Sequence, residues 1–238
     1  YRNVAEQLPP ETIALLYGRY LHASVSKLEL YARCGFAYFL KYGLRLKERE
    51  MYQVDVRNVG VILHSVMEGL FKQVRDTRNN DWENFPEDER MLMVTELVNR
   101  AAEESAGDFF EDNARNAYML QMIERMAQTS AGMLQKHIRL GSMKPGMLEK
   151  TFDSAKDEVG SYLFELPNQI RMSINGKIDR VDLCKDKDKV YVKVLDYKTG
   201  SKAFDVVALY HGLQLQLMVY MDAAVKMTQK HYPDSEVI

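Results

Sequence analysis

Cysteine is nearly absent. Two in 238 residues, Cys34 and Cys184, lie far apart. That excludes a disulfide framework and points to a reducing compartment, so a cytoplasmic protein is expected. Long apolar runs are missing too. No stretch approaches the roughly 18 residues a membrane-spanning helix needs, so no membrane partner is expected. No secretory leader opens the chain. Charge of one sign is missing: 32 Lys and Arg against 34 Asp and Glu leave a formal net charge of −2. There is thus no global footprint for nucleic acid, although a local groove can still be basic. Neither GxxxxGK[ST] nor GxGxxG occurs, so the chain carries no sequence sign of an ATPase of its own. No GxSxG elbow and no zinc-type Cys/His cluster occurs either.

What is present is ordinary globular material, 46% hydrophobic and 28% charged, with 14 Met to fill a core. The length suits one large domain or two small ones. The chain starts at Tyr1 without a Met and stops at Ile238 after the loop-like Pro233-Asp234-Ser235-Glu236-Val237, so an excised piece of a longer protein is expected.

Residues 1–23 contain Pro9-Pro10 and a short helical candidate over 11–20. A Ser26/Glu29 capping box then starts a helix, which Gly35 breaks and Gly43 ends. Cys34 lies on that helix, where a lone cysteine is ordinarily a core residue. Lys41, Arg45, Lys47 and Arg49 form the best phosphate-facing strip of the first third, or a solvated face. Asn58 caps a helix to about Arg75, with Val59, Ile62, Leu63, Val66, Leu70 and Phe71 on its apolar side. His64 and Glu68 share one face of it, as a metal-binding pair or as a hydrogen-bonded pair. Residues 76–86 read as a loop. Helices over 87–104 and 112–139 follow, and their Leu, Val and Met residues read as packing. A linker at 141–146 marks a change to strands over 148–152 and 161–166, and Gln169 to Asn175 leads on into a hairpin. A last helix is expected over 206–228, striped by Leu209, Leu213, Leu217 and Tyr220.

The chemistry concentrates between Gly176 and Gly200. GKIDRVD, a charged turn over 184–189 and VYVKVLDYKTG read as two strands that bring Asp179 close to Asp196 and Lys198. Val190, Val192 and Val194 alternate with Tyr191, Lys193 and Leu195, and the same parity places Asp196 and Lys198 together with Tyr197 opposite. Two carboxylates beside a lysine suit a hard cation and phosphodiester hydrolysis. The same residues also suit the end of an ordinary solvated hairpin.

Together, His64 on a helix, Gly176-Lys177-Ile178-Asp179-Arg180-Val181-Asp182, Asp196-Tyr197-Lys198-Thr199-Gly200 and Gln216-x-x-x-Tyr220 resemble the motifs of RecB-like nucleases of the PD-(D/E)XK superfamily. The segment over 24–44 is similar to that before the nuclease core in AddB-type subunits of bacterial helicase–nuclease complexes, and in CRISPR-associated RecB-like exonucleases. The resemblance covers roughly residues 22–225. It implies an α/β fold: a restriction-endonuclease-like mixed sheet core flanked by helices, with a helical N-terminal half. It divides the chain into a lead-in (1–23), a helical part with Cys34 and His64 (24–145), and the nuclease core (146–238), cut before a cysteine-bearing tail.

The resemblance also implies roles. His64, Asp179, Asp196 and the Tyr197 carbonyl would bind Mg²⁺ or Mn²⁺. Lys198 would orient water and offset charge on the phosphate. Gln216 and Tyr220 would position the strand or support the lysine. Glu149 would serve a second metal or hydrogen-bond to the ligands, and Arg180 would contact phosphate. Cys34 corresponds to the first of four ligands of a [4Fe–4S] cluster. Gly35 stands where the family usually has proline, and no cysteine follows Cys184, so a cluster is expected in the parent protein and not in this chain. The implied partners are single-stranded DNA ends and an AddA-like helicase–nuclease subunit. A non-cleaving DNA-binding module or a subunit-docking platform remains the alternative.

Overall fold

The structure is a computed structural model and describes residues 8–47, 56–153, 162–167, 170–198 and 203–238, with the side chains of 56–58 left aside. Arg49, Ser161, Gln169, Thr199 and Gly200, each part of a reading above, lie outside the described residues, as does the side chain of Asn58. The chain forms two compact units, each discontinuous in sequence. One comprises 1–50, 151–177 and 203–234, and the other 51–150, 178–202 and 235–238. The helix of His64 thus shares a unit with the Asp179–Lys198 hairpin, across the division at residue 145 expected from sequence.

The His64-bearing unit is built on three long helices: α4 (Val56–Arg78), α5 (Glu87–Ala106) and α6 (Ala114–Leu140), numbered after three short helices of the other unit. Ile62, Val66, Leu70 and Val74 recur on one side of α4 and are all fully buried. They meet Val94, Leu97, Val98 and Ala101 of α5 and Ile123, Ala127 and Ala131 of α6. Gly69 lets α5 come close, since a Cβ there would lie 2.5 Å from Leu97. Trp82 and Phe85 plug the end of this core from the α4–α5 loop, Trp82 lying 4.7 Å from the Phe71 ring. Burial of this kind is worth about 1.5–3 kcal/mol for each large side chain.

The methionines of α6 were read as packing, and three of them are not. Met122, Met126 and Met133 are 38, 39 and 61% exposed, on the side away from Ile123, Ala127 and Ala131. Leu92 of α5 is likewise exposed. Each helix buries one stripe, and these residues fall outside it.

The same unit carries the hairpin. Strand β4 (Ile170–Asp186) runs on from the other unit and pairs antiparallel with β5 (Lys189–Leu195), from Arg180↔Leu195 to Asp186↔Lys189. The turn is therefore Lys187-Asp188, with Lys187 at φ 54°, shorter than the 184–189 turn expected. Cys184 lies in the strand opposite Tyr191. β6 (Glu236–Val237) adds parallel to β5. Strand β2 (Lys144–Phe152) pairs with β4 and begins inside the expected linker. Gly146 lies close against Leu183, where a Cβ would come within 2.8 Å, so it marks close packing and not a flexible joint.

In the other unit α1 (Pro10–Tyr17) precedes β1 (Tyr20–Ser24), a strand not foreseen, which pairs parallel with Arg171–Asn175 of β4. β3 (Leu163–Leu166) pairs antiparallel with the same strand. The sheet is thus mixed. α2 (Val25–Arg33) is capped by Ser24, whose hydroxyl accepts from the Lys27 N–H at 3.3 Å, in place of the Ser26/Glu29 box. Glu29 instead accepts from the Leu215 and Gln216 N–H groups at 2.8 and 3.2 Å, at the N-terminus of α8 (Gln216–His231). Cys34 is neither helical nor core. It is exposed, at the break before α3 (Gly35–Tyr38), and its Sγ accepts from the Ala37 N–H. A π-helical turn, Phe39–Gly43, follows. The helix expected over 206–228 is two, α7 (Val206–Tyr210) and α8, because Gly212 at φ 74° breaks the run. Among the described residues no helix is long and apolar enough to cross a membrane.

Candidate active site

The hairpin register ends at Arg180↔Leu195, so Asp179 and Asp196 sit one position beyond it, at the same level. β5 stops at Leu195, and Asp196, Tyr197 and Lys198 leave it as irregular chain. The expected parity therefore ends before the residues it was meant to place. Tyr197 now ties the site together. Its N–H donates to Asp179 Oδ2 at 2.7 Å, and its carbonyl lies 2.8 Å from His64 Nε2. A carbonyl only accepts, so Nε2 carries the proton and Nδ1 presents its lone pair. Nδ1 lies 3.7 Å from Asp179 Oδ2. An imidazole lone pair facing a carboxylate at that distance is a place for a cation.

Glu149 completes the arrangement. Among the described residues, ligand atoms of His64, Glu149 and Asp179 lie within 4.8 Å of one another, and all three side chains are partly buried. Glu149 sits inside β2 at φ 48°, whereas Arg45, Asn79, Asn80 and Lys187, also at positive φ, lie outside strands and helices or at a tight turn. A strand residue held in the left-handed region costs about 1–3 kcal/mol and re-aims its side chain. Nothing in the local sequence announces that conformation.

Asp196 is not one of these three. Its carboxylate holds Lys198 Nζ at 2.7 Å, with Asp196 17% and Lys198 43% exposed. Both act electrostatically on Asp179. Burial first raises the Asp179 pKa, and the nearby Asp196 adds to this, while the Tyr197 N–H, His64 and Lys198 oppose it.

Arg180 does not reach solvent, contrary to the expected phosphate contact. It is 2% exposed, forks onto Asp182 at 2.5 and 2.6 Å, and lies 4.3 Å from the Phe71 ring of α4. The Tyr197 phenol lies against the same guanidinium, and burial pushes its pKa up to about 12. Asp182, the last residue of the GKIDRVD motif, is the buried partner of Arg180. Glu68 pairs with Lys72 and not with the His64 site.

Gln216 and Tyr220 belong to the other unit, on α8. Tyr220 is 8% exposed and packs edge-on against Phe152. Gly176, the first residue of the GKIDRVD motif, has no room for a Cβ, which would come within 2.5 Å of Phe152 and 3.0 Å of Tyr220.

The PD-(D/E)XK nuclease superfamily model matches residues 22–237. The chain is similar to the AddB-type ATP-dependent helicase/deoxyribonuclease protein of Lachnoclostridium phytofermentans, 37% identical over 237 residues, which is 100% of this chain and 19% of that protein. The corresponding protein of Acetivibrio thermocellus is 34% identical over 226 residues, 94% of this chain and 19% of that protein. That of Clostridium novyi is 33% identical over 236 residues, 99% of this chain and 20% of that protein. The chain spans about a fifth of the length of these curated relatives. With a family match over nearly its whole length, the chain belongs to the PD-(D/E)XK nuclease superfamily.

Proposed function

We propose that this chain is the nuclease domain of a longer protein that processes DNA ends in double-strand break repair, and that it hydrolyses DNA phosphodiester bonds with Mg²⁺ or Mn²⁺. The observation that carries the reading is the meeting of His64, Glu149 and Asp179 ligand atoms within 4.8 Å, in a chain of this superfamily. One imidazole nitrogen among carboxylate oxygens is a donor set that would fit a hard divalent cation and admit Mn²⁺. When bound, such an ion polarises the phosphoryl oxygen and lowers the pKa of a coordinated water.

The chain's own groups divide the remaining work. The Tyr197 carbonyl, 2.8 Å from His64 Nε2, would hold the imidazole with Nδ1 turned towards Asp179, where it would be free to ligate. The Tyr197 N–H holds the Asp179 carboxylate in place. Asp196 keeps the Lys198 ammonium at 2.7 Å and is proposed to add a further oxygen to the ion. Lys198 orients the attacking water and donates to the phosphate as negative charge builds on it. Gln216 is proposed to position the strand. The Tyr220 ring, packed on Phe152, is proposed to hold α8 in place.

The relatives are named as helicase/deoxyribonuclease subunits, so DNA ends and an AddA-like helicase–nuclease subunit are the proposed partners. In the parent protein Cys34, exposed at its helix break, is proposed as one ligand of a [4Fe–4S] cluster. The other three thiolates of such a cluster would come from outside this chain.

The test is cleavage of a labelled single strand by the full-length protein with its partner subunit. Asp179→Asn and Lys198→Ala should each lower kcat by about 100-fold or more, with DNA binding retained. Wild-type cutting should stop when divalent ions are chelated. Undiminished cleavage by either variant would overturn the assignment.

A further inference from the structure

The GKIDRVD motif supplies one residue to the candidate metal centre, Asp179. Arg180 and Asp182 of the same motif are each 2% exposed. Taking two charges out of water is costly, and apolar residues of similar volume hold a fold as well or better. Stability therefore does not account for this pair.

Tyr197 stands two residues past the end of β5, in irregular chain. Both of its backbone polar groups serve side chains of the candidate metal centre: the N–H goes to Asp179 at 2.7 Å and the carbonyl meets His64 Nε2 at 2.8 Å. Its own side chain has to fix that backbone. The ring packs against the helical core, and the phenol oxygen is buried against Arg180.

We propose that Arg180 and Asp182 are positioning residues: they hold the Tyr197 side chain, and through it the two backbone groups that set Asp179 and His64 for the metal ion. The proposal rests on the nuclease reading above and gives a function to the half of the motif which that reading does not use. Asp182 accepts from Nε and Nη2 at 2.5 and 2.6 Å, so the guanidinium cannot turn. The Phe71 ring covers it at 4.3 Å. Phe71 and His64 are seven residues apart on α4, hence on one face of that helix. The ring that seats the guanidinium and the imidazole that Tyr197 must meet therefore keep a fixed spacing. A fixed guanidinium and a packed ring give Tyr197 one orientation. A pair that touches neither ion nor DNA thus controls two of the three ligands gathered at the site.

The test uses the full-length protein with its partner subunit. Bound Mn²⁺ is read from the loss of the free ion's electron paramagnetic resonance signal, and the site's share is the part that Asp179→Asn removes. Arg180→Met with Asp182→Leu should weaken that binding about tenfold or more and lower kcat, with KM for DNA within about twofold. Tyr197→Phe, which removes only the phenol oxygen, should weaken Mn²⁺ binding as well. Added to the double change it should cost nothing further, since both act through one contact. Wild-type Mn²⁺ affinity in the double variant would overturn the proposal and leave the pair a core contact. Full additivity of Tyr197→Phe with the double change would also overturn it, because the two would then act separately. If the double variant melts below wild type, Tyr197→Phe decides alone, and unchanged affinity there sinks the proposal. If the wild type binds no more Mn²⁺ than Asp179→Asn, it is the nuclease reading that fails, and the two failures are told apart.

Discussion

Tyr197 serves three neighbours at once. Its N–H steadies Asp179, its carbonyl takes His64, and its phenol lies against the buried Arg180. The phenol is an acid whose pKa burial raises to about 12 in the folded chain, against about 10 when unfolded. The folded state therefore keeps the proton that the unfolded state gives up between these values. Stability from this group is complete below pH ~10 and is lost as pH rises towards 12, by about 1 kcal/mol at pH 11. Urea midpoints of wild type and Tyr197→Phe, measured at pH 9 and pH 11, check it. The wild type should lose more between the two pH values, and equal losses would mean that the phenol titrates normally. Family resemblance assigned the Tyr197 carbonyl to the ion, whereas in the structure it lies against His64 Nε2. Sequence could not reach the phenol, because the partner Arg180 looked solvent-facing. Glu149 was only half legible for a similar reason: its conformation at φ 48° is imposed by its surroundings and not by its residue type.

At the scale of elements, the buried Arg180–Asp182 pair ties the hairpin to α4 through Phe71. Asp182→Asn would leave a buried guanidinium without its carboxylate, at a cost of about 3–5 kcal/mol. The double change Arg180→Met with Asp182→Leu removes both charges, and should return stability to wild type or above. Urea unfolding of both variants checks this. A mild Asp182→Asn would show that the pair is solvated in solution. The double variant should nevertheless cut slowly, since Tyr197 loses the group its phenol packs against. The long helices were legible because their apolar residues recur at helical spacing over 20 or more positions. β1 was not. Its five residues, Tyr20–Ser24, take their strand form from a parallel partner about 150 positions later. The Gly212 break between α7 and α8 was passed over because the leucine stripe runs through it.

On the scale of the whole chain, the candidate metal ligands come from three separated stretches. His64 is on α4, Glu149 on β2 and Asp179 on β4, all within one unit whose sequence is interrupted. No single stretch encodes the site, which is why the hairpin read alone supported two meanings. It also means that a bound ion cross-links three elements. An ion that binds only the assembled site stabilises it by RT ln(1 + [L]/Kd), about 2.7 kcal/mol at 100 times Kd. Amides of α4 around His64 and of β4 around Asp179 should then exchange with solvent about 100-fold more slowly in Mn²⁺, wherever exchange requires the site to open. α1 and β3 contribute no ligand and should exchange at an unchanged rate. Asp179→Asn should abolish the protection on both α4 and β4, although it alters only β4. Protection confined to β4 in the wild type would show that His64 is not a ligand, and that the ion rests on the hairpin alone.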